Sequence, residues 1–125
     1  MKRDLDLIRE LLLHFESKPN CEHEDAVEVD GYTKLEVEYH LLLLDDAGLL
    51  QCERLVSSST PSRVIRVLPF GLTWSGHEFL EASREESGWR AAKEKLESAT
   101  GSLSFDLLRA LLIESAKKAV GLDAN

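Results

Sequence analysis

The run at residues 31–54, GYTKLEVEYHLLLLDDAGLLQCER, passes from a helix to a strand through a single glycine, and it constrains the fold more than any other part of the chain. Thr33-Lys34-Leu35-Glu36 has the form of a capping box. The Thr33 hydroxyl can accept from the backbone N–H of Glu36, and the Glu36 side chain can reach back to the N–H of Thr33. Leu35, Tyr39, Leu42 and Leu43 give this helix an inward face, with Ala47 near its end and Lys34, Glu38 and Asp45 outside. Gly48 suits the left-handed conformation that closes a helix, and Leu49 can fold back onto it.

The segment after Leu49 reads as a ribbon. Residues 50–56 and 63–68 are β-like, with β-branched Val64, Ile65 and Val67 in the second stretch. The linker Ser57-Ser58-Ser59-Thr60-Pro61-Ser62 is small and polar, as a hairpin tip requires. LTWSGHEFL at residues 72–80 then opens a new helix, capped by Thr73 or by Ser75, the latter as a second capping box with Glu78. The order of helix, two-stranded ribbon and helix is that of a winged helix-turn-helix domain, with the ribbon as its wing.

The flanks complete this outline. Leu5, Ile8, Leu12 and Phe15 follow the spacing of one helical face, widened by Leu11, so a first helix is predicted over residues 4–16 with Asp4 as N-cap. Residues 19–30 are polar and acidic and read as a loop, in which residues 26–29 have the makings of one short strand. Beyond the ribbon, Gly88 is read as the break between a third and a fourth helix, and Trp89, Ala92, Lys93 and Leu96 resume helical spacing. A fifth helix is predicted over residues 103–120, ended by Gly121. The expected class is α+β, mostly helical: a winged-helix domain over residues 1–100 and a C-terminal helix for packing or dimerisation over residues 101–125.

Charge and cysteine content narrow the function. The chain has 125 residues, 43% of them hydrophobic, enough to fill a core. No signal-peptide pattern follows Met1, and the longest apolar run is residues 41–44, so the expected setting is the cytoplasm, with no membrane contact. Cys21 and Cys52 form no CxxC pair, which suits a reducing compartment. The net charge of −8 opposes a phosphate backbone over most of the surface. Residues 51–69 run the other way, carrying Arg54, Arg63 and Arg66 against Glu53. Those arginines, with Thr33 and Lys34 at the start of the second helix, are the candidates for contact with double-stranded DNA. The second helix is otherwise acidic, which predicts weak binding carried by the wing.

No catalytic constellation stands out. None of His14, His23, His40 and His77 forms HExxH or another metal spacing, and Cys21-Glu22-His23 reads as a solvated loop. His77 reads as a helix-terminal side chain packing on Trp74, itself assigned to the core. Ser57–Ser59 lack the Gly-x-Ser-x-Gly context of an activated nucleophile. No enzyme activity, cofactor or metal is expected. Leu107, Leu108, Leu111 and Leu112 cover more of the fifth helix than one stripe needs, and mark it as a candidate seam of a homodimer.

MKRDLDLIRELLL, GYTKLEVEYHLLLLDDAGLL and LTWSGHEFLEASR, followed by Trp89 and a lysine-containing stretch, resemble a family of small bacterial and prophage proteins. That family is labelled a domain of unknown function and assigned a winged-helix shape; the resemblance implies that fold and no activity. The run from Tyr39 to Leu49 also resembles the recognition helix of winged-helix regulators more broadly. Two departures stand out: the stretch before Thr33 is short and polar where a positioning helix belongs, and the recognition helix is acidic. The leading expectation is a non-enzymatic, DNA-associated regulator; the rival is a protein-interaction module on the same scaffold.

Overall fold

The Asp4 carboxylate starts the first helix, accepting from the backbone N–H groups of Asp6 at 2.9 Å and Leu7 at 3.2 Å. In the computed structural model, which describes residues 1–121, this helix is α1 (Leu5–Glu16). It is followed by α2 (Lys34–Asp46), β1 (Leu50–Val56), β2 (Val64–Leu72), α3 (Trp74–Ser83), α4 (Glu86–Thr100) and α5 (Phe105–Ala119). The architecture is therefore α+β and mostly helical, with one two-stranded antiparallel sheet among the described residues. The chain forms two compact units, residues 1–77 and residues 78 onward, with the division inside α3. Within the second unit α4 and α5 pack on each other.

In the first unit α1 and α2 pack on each other and on the hairpin. The capping box forms as the sequence predicts: Glu36 N–H donates to the Thr33 hydroxyl at 3.1 Å, and Thr33 N–H to the Glu36 carboxylate at 2.9 Å. These bonds to Thr33 hold the Glu36 carboxyl below the usual carboxylate range. At the other end Gly48 takes φ 72°, with Gly48 N–H donating to Asp45 O and Leu49 N–H to Leu44 O, the paired bonds of a Schellman turn. The turn seats Leu49 and Leu50 in the core.

The face of α2 is rotated from the predicted one. Val37, His40, Leu41 and Leu44 are buried, whereas Leu35 is 65% exposed and Tyr39, Leu42 and Leu43 are half-buried. His40 explains the rotation: a polar ring enters the core because the backbone satisfies both of its nitrogens. Its Nδ1 lies 2.7 Å from Glu36 O, and its Nε2 accepts from Asp4 N–H at 2.7 Å.

The hairpin pairs Leu50 with Leu72, Arg54 with Val67 and Val56 with Val64, with irregularities at Gln51/Cys52 and Leu55/Val56. Residues 26–29 do not form a third strand, although Val27 is buried. The acidic loop instead reaches β2 through Glu24 N–H, which donates to Pro69 O at 3.1 Å. Thr73, not Ser75, caps α3: its hydroxyl accepts from Gly76 N–H at 3.0 Å and donates to Gly48 O at 2.6 Å. Ser75 lies inside the helix, and Trp74 is 81% exposed, so it is not the core residue the sequence suggested.

The second unit is built on an aromatic centre. Phe79 stacks on Phe105 at 4.7 Å and meets Trp89 edge-on at 6.1 Å. Leu80, Leu96, Leu108 and Leu112 complete this core. The break between α3 and α4 falls at Arg84–Glu85, so Gly88 sits in the first turn of α4 and does not interrupt it. Gly101, at φ 73°, closes α4, and the Ser104 hydroxyl starts α5 by accepting from Leu107 N–H. Gly121 follows the last turn at φ 75°, as expected.

Candidate functional site

The candidate DNA contacts sit at the start of α2 and along the hairpin, and most of the cations are engaged. Arg54 Nε donates to the Asp45 carboxylate at 2.8 Å; this pair raises the Arg54 pKa. Asp45 is only 10% exposed, so the arginine neutralises a carboxylate at the end of α2. The Arg66 guanidinium donates to the Asp25 carbonyl and fastens the acidic loop to β2. Lys34 lies 4.0 Å from Glu38 one turn along α2. Thr33 is occupied by its capping box. Arg63, at the hairpin tip, is exposed and makes no ion pair among the described residues. The structure thus leaves one uncommitted arginine on the ribbon.

The candidate dimer seam also divides. Leu108 and Leu112 are buried in the second unit, Leu111 is half-buried, and Leu107 is 49% exposed. The wide apolar set of α5 is therefore explained mainly by its own core. What remains outside is Leu107 together with Ile113 and Val120.

A groove in the first unit lies outside the sequence expectations. It sits between the acidic loop, α2 and β2, with a volume of about 760 Å³, within the range of ligand sites. Val37, Leu41, Val67 and Pro69 line its buried part, and Leu35, Tyr39, Leu42 and Ile65 its open sides. Leu35 and Ile65, on different elements, are both more than 60% exposed. Glu24, Asp25, Glu28, Asp30 and Glu38 also line it, against Lys34 and Arg66. The signal in the sequence was the surplus of apolar residues on α2, more than one inward face can hide.

Beside the groove the elements are tied by a hydrogen-bonded cluster. Asp4 caps α1 and its N–H donates to His40. Burial, followed by the charge of Asp4, pushes the Tyr32 pKa up to about 12. The loop carries a second tie, His14 Nε2 with the Glu24 carboxylate at 2.8 Å. Lys18 Nζ donates to Phe70 O at 2.9 Å and to Glu22 O. Burial, and next the charge of Asp45, drives the Cys52 thiol up to about 12, while Cys21 is exposed; both are free thiols. No group of three His, Cys, Asp or Glu side chains among the described residues is arranged to hold a metal ion. No helix among them is long and apolar enough to cross a membrane.

The chain is 36% identical over 112 residues to an uncharacterized protein of Haemophilus influenzae (strain ATCC 51907 / DSM 11121 / KW20 / Rd), covering 87% of this chain and 90% of that one. No solved structure matches it. Residues 2–102, which include all of the first unit after Met1 and α4, match the family described as hypothetical protein (DUF2513), and the chain belongs to that family.

Proposed function

We propose that this chain is a non-enzymatic protein-interaction module on a winged-helix-like scaffold, and that it does not act by binding DNA. The order α1, α2, hairpin, α3 supports the scaffold, with an irregular acidic loop where a positioning helix would stand. The observation that carries the reading is the fate of the cations. Arg54 neutralises Asp45, the Arg66 guanidinium is held on the Asp25 carbonyl and Lys34 lies 4.0 Å from Glu38, so few cations on this surface are left to meet phosphate, and a net charge of −8 opposes it. Its exposed apolar residues, Leu35, Ile65 and Trp74, are of the kind that bury at protein interfaces. The non-enzymatic part rests on the groups that would do chemistry. Both nitrogens of His40 are committed to backbone, and the Cys52 thiol is held protonated.

The test is fluorescence anisotropy of a labelled random-sequence duplex at low salt, titrated with protein to tens of micromolar. No rise is expected. Binding that weakens on adding salt and is lost in Arg63→Ala would restore the DNA reading with the hairpin tip as its contact.

A further inference from the structure

We infer that the groove between the acidic loop, α2 and β2 is the docking site, and that it takes a basic amphipathic segment of another protein. The inference rests on the interaction-module reading and gives it a surface and a partner chemistry.

Three observations converge on this face. The first is shape: about 760 Å³ between three chain segments, enough for a few anchoring side chains and too small for a folded domain. The second is apolar lining kept open to water. Leu35 on α2 and Ile65 on β2 face the same groove, 65% and 61% exposed, with half-buried Leu42 beside them. Exposed apolar side chains on separate elements around one concavity form a patch of the kind that marks interaction sites. The third is charge. Five carboxylates and two side-chain cations line the groove. The carboxylates outnumber the cations, of which Arg66 is held on the Asp25 carbonyl and Lys34 lies 4.0 Å from Glu38. Glu28 and Asp30 make no ion pair among the described residues, so they are available to an incoming lysine or arginine.

The occupant follows from these features. An apolar anchor with flanking positive charge complements an apolar floor with an acidic rim, and like charge at that rim rejects acidic competitors. A second copy is disfavoured, since this chain carries a net charge of −8. A nucleic acid is disfavoured for the same reason. The ties around the groove keep the site formed before the partner arrives, which lowers the ordering cost of binding. These are Asp4 with His40, His14 with Glu24, and Arg66 with Asp25.

The test uses the full chain and two synthetic probes with one apolar pattern, an amphipathic leucine–lysine peptide and its leucine–glutamate counterpart. The lysine peptide is expected to bind and the glutamate peptide not to. Amide shifts in nitrogen-labelled protein are expected to move around Leu35, Leu42 and Ile65. Glu28→Lys with Asp30→Lys, and separately Leu35→Ser with Ile65→Ser, should each weaken binding roughly tenfold or more, as for loss of an interface anchor. All four positions are exposed, so circular dichroism should show both variants folded. Equal binding of both peptides, or lysine-peptide binding unchanged in either variant, overturns the groove assignment. Shifts confined to residues beyond 77 overturn the groove but leave the interaction-module reading standing. Duplex DNA bound in place of either peptide overturns both. A dimer in sedimentation that Ile65→Ser dissociates would put a second copy in the groove and overturn the partner assignment.

Discussion

Replacing Gly76 by alanine puts a methyl group where the structure has a backbone oxygen. A Cβ at Gly76 would lie 2.1 Å from Leu49 O and 3.2 Å from Leu49 C, with Leu72 Cβ at 3.4 Å. Ordinary contact begins near 3.4 Å, so α3 and the Leu49 carbonyl must part by roughly 1.3 Å. Neither side gives easily. Leu49 is pinned by its own N–H to Leu44 O, and its carbonyl accepts from Thr73 N–H at 3.1 Å. Thr73 in turn is tied to Gly48 O and to Gly76 N–H. Overpacking of this kind costs about 1–3 kcal/mol, and stretching the Thr73 bond adds about 1 kcal/mol. Alanine returns up to about 1 kcal/mol in helix propensity. The net expectation is a loss of about 1–3 kcal/mol. Gly88→Ala is the control, because its nearest neighbour would be Glu85 Cβ at 4.0 Å and its backbone is helical. There the propensity gain stands alone, worth up to about 1 kcal/mol. Urea unfolding followed by circular dichroism should shift the two midpoints in opposite directions. Gly76→Ala as stable as the wild type would refute the close approach of α3 to Leu49.

The same geometry sets further outcomes. Leu44→Ala, at a fully buried position, should cost about 2–5 kcal/mol in a urea melt, and half-buried Leu42→Ala clearly less; equal losses would mean the α2 face is misassigned. Leu108→Glu should unfold the second unit, since Leu108 is fully buried; a folded monomer obtained from a wild-type dimer would reinstate α5 as a seam. In native protein at pH 8, iodoacetamide should modify Cys21 readily and Cys52 hardly at all, as its thiol titrates at about 12; equal rates by mass spectrometry would contradict its burial. Tyr32 and Cys52 both bind their protons more tightly in the folded state, with values raised from 10.0 and 9.0 to about 12. Their contribution is therefore complete below pH 9 and lost as pH rises toward 12. Urea midpoints should fall over that window, and fall less in Tyr32→Phe; a flat profile would remove the burial argument.

How much of this was legible in the sequence depends on the range of the interaction. Asp4, Thr33 with Glu36, Gly48 and Gly121 were readable because each acts on backbone within a few residues of itself. The hairpin was readable because β-branched residues flank a polar tip. What escaped were choices made by distant partners. His40 fits no motif, on a helix that already has apolar candidates enough. Its place in the core depends on the N–H of Asp4, 36 positions away in sequence. Once that ring is buried, 3.6-residue geometry carries Val37, Leu41 and Leu44 inward with it and turns Leu35 out. Arg54 and Arg66 looked like wing cations for a similar reason. Nothing in the ribbon itself reveals that Asp45 and the Asp25 carbonyl will meet them. The same long-range contacts that spend these cations also shape the groove. His40 sets which face of α2 is left open, and Arg66 holds the loop that forms the opposite wall. A reading by local pattern finds charge on the ribbon and infers DNA. With the partners in place, the open surface is apolar and rimmed by carboxylates, which is the basis on which we propose a polypeptide of opposite charge as its partner.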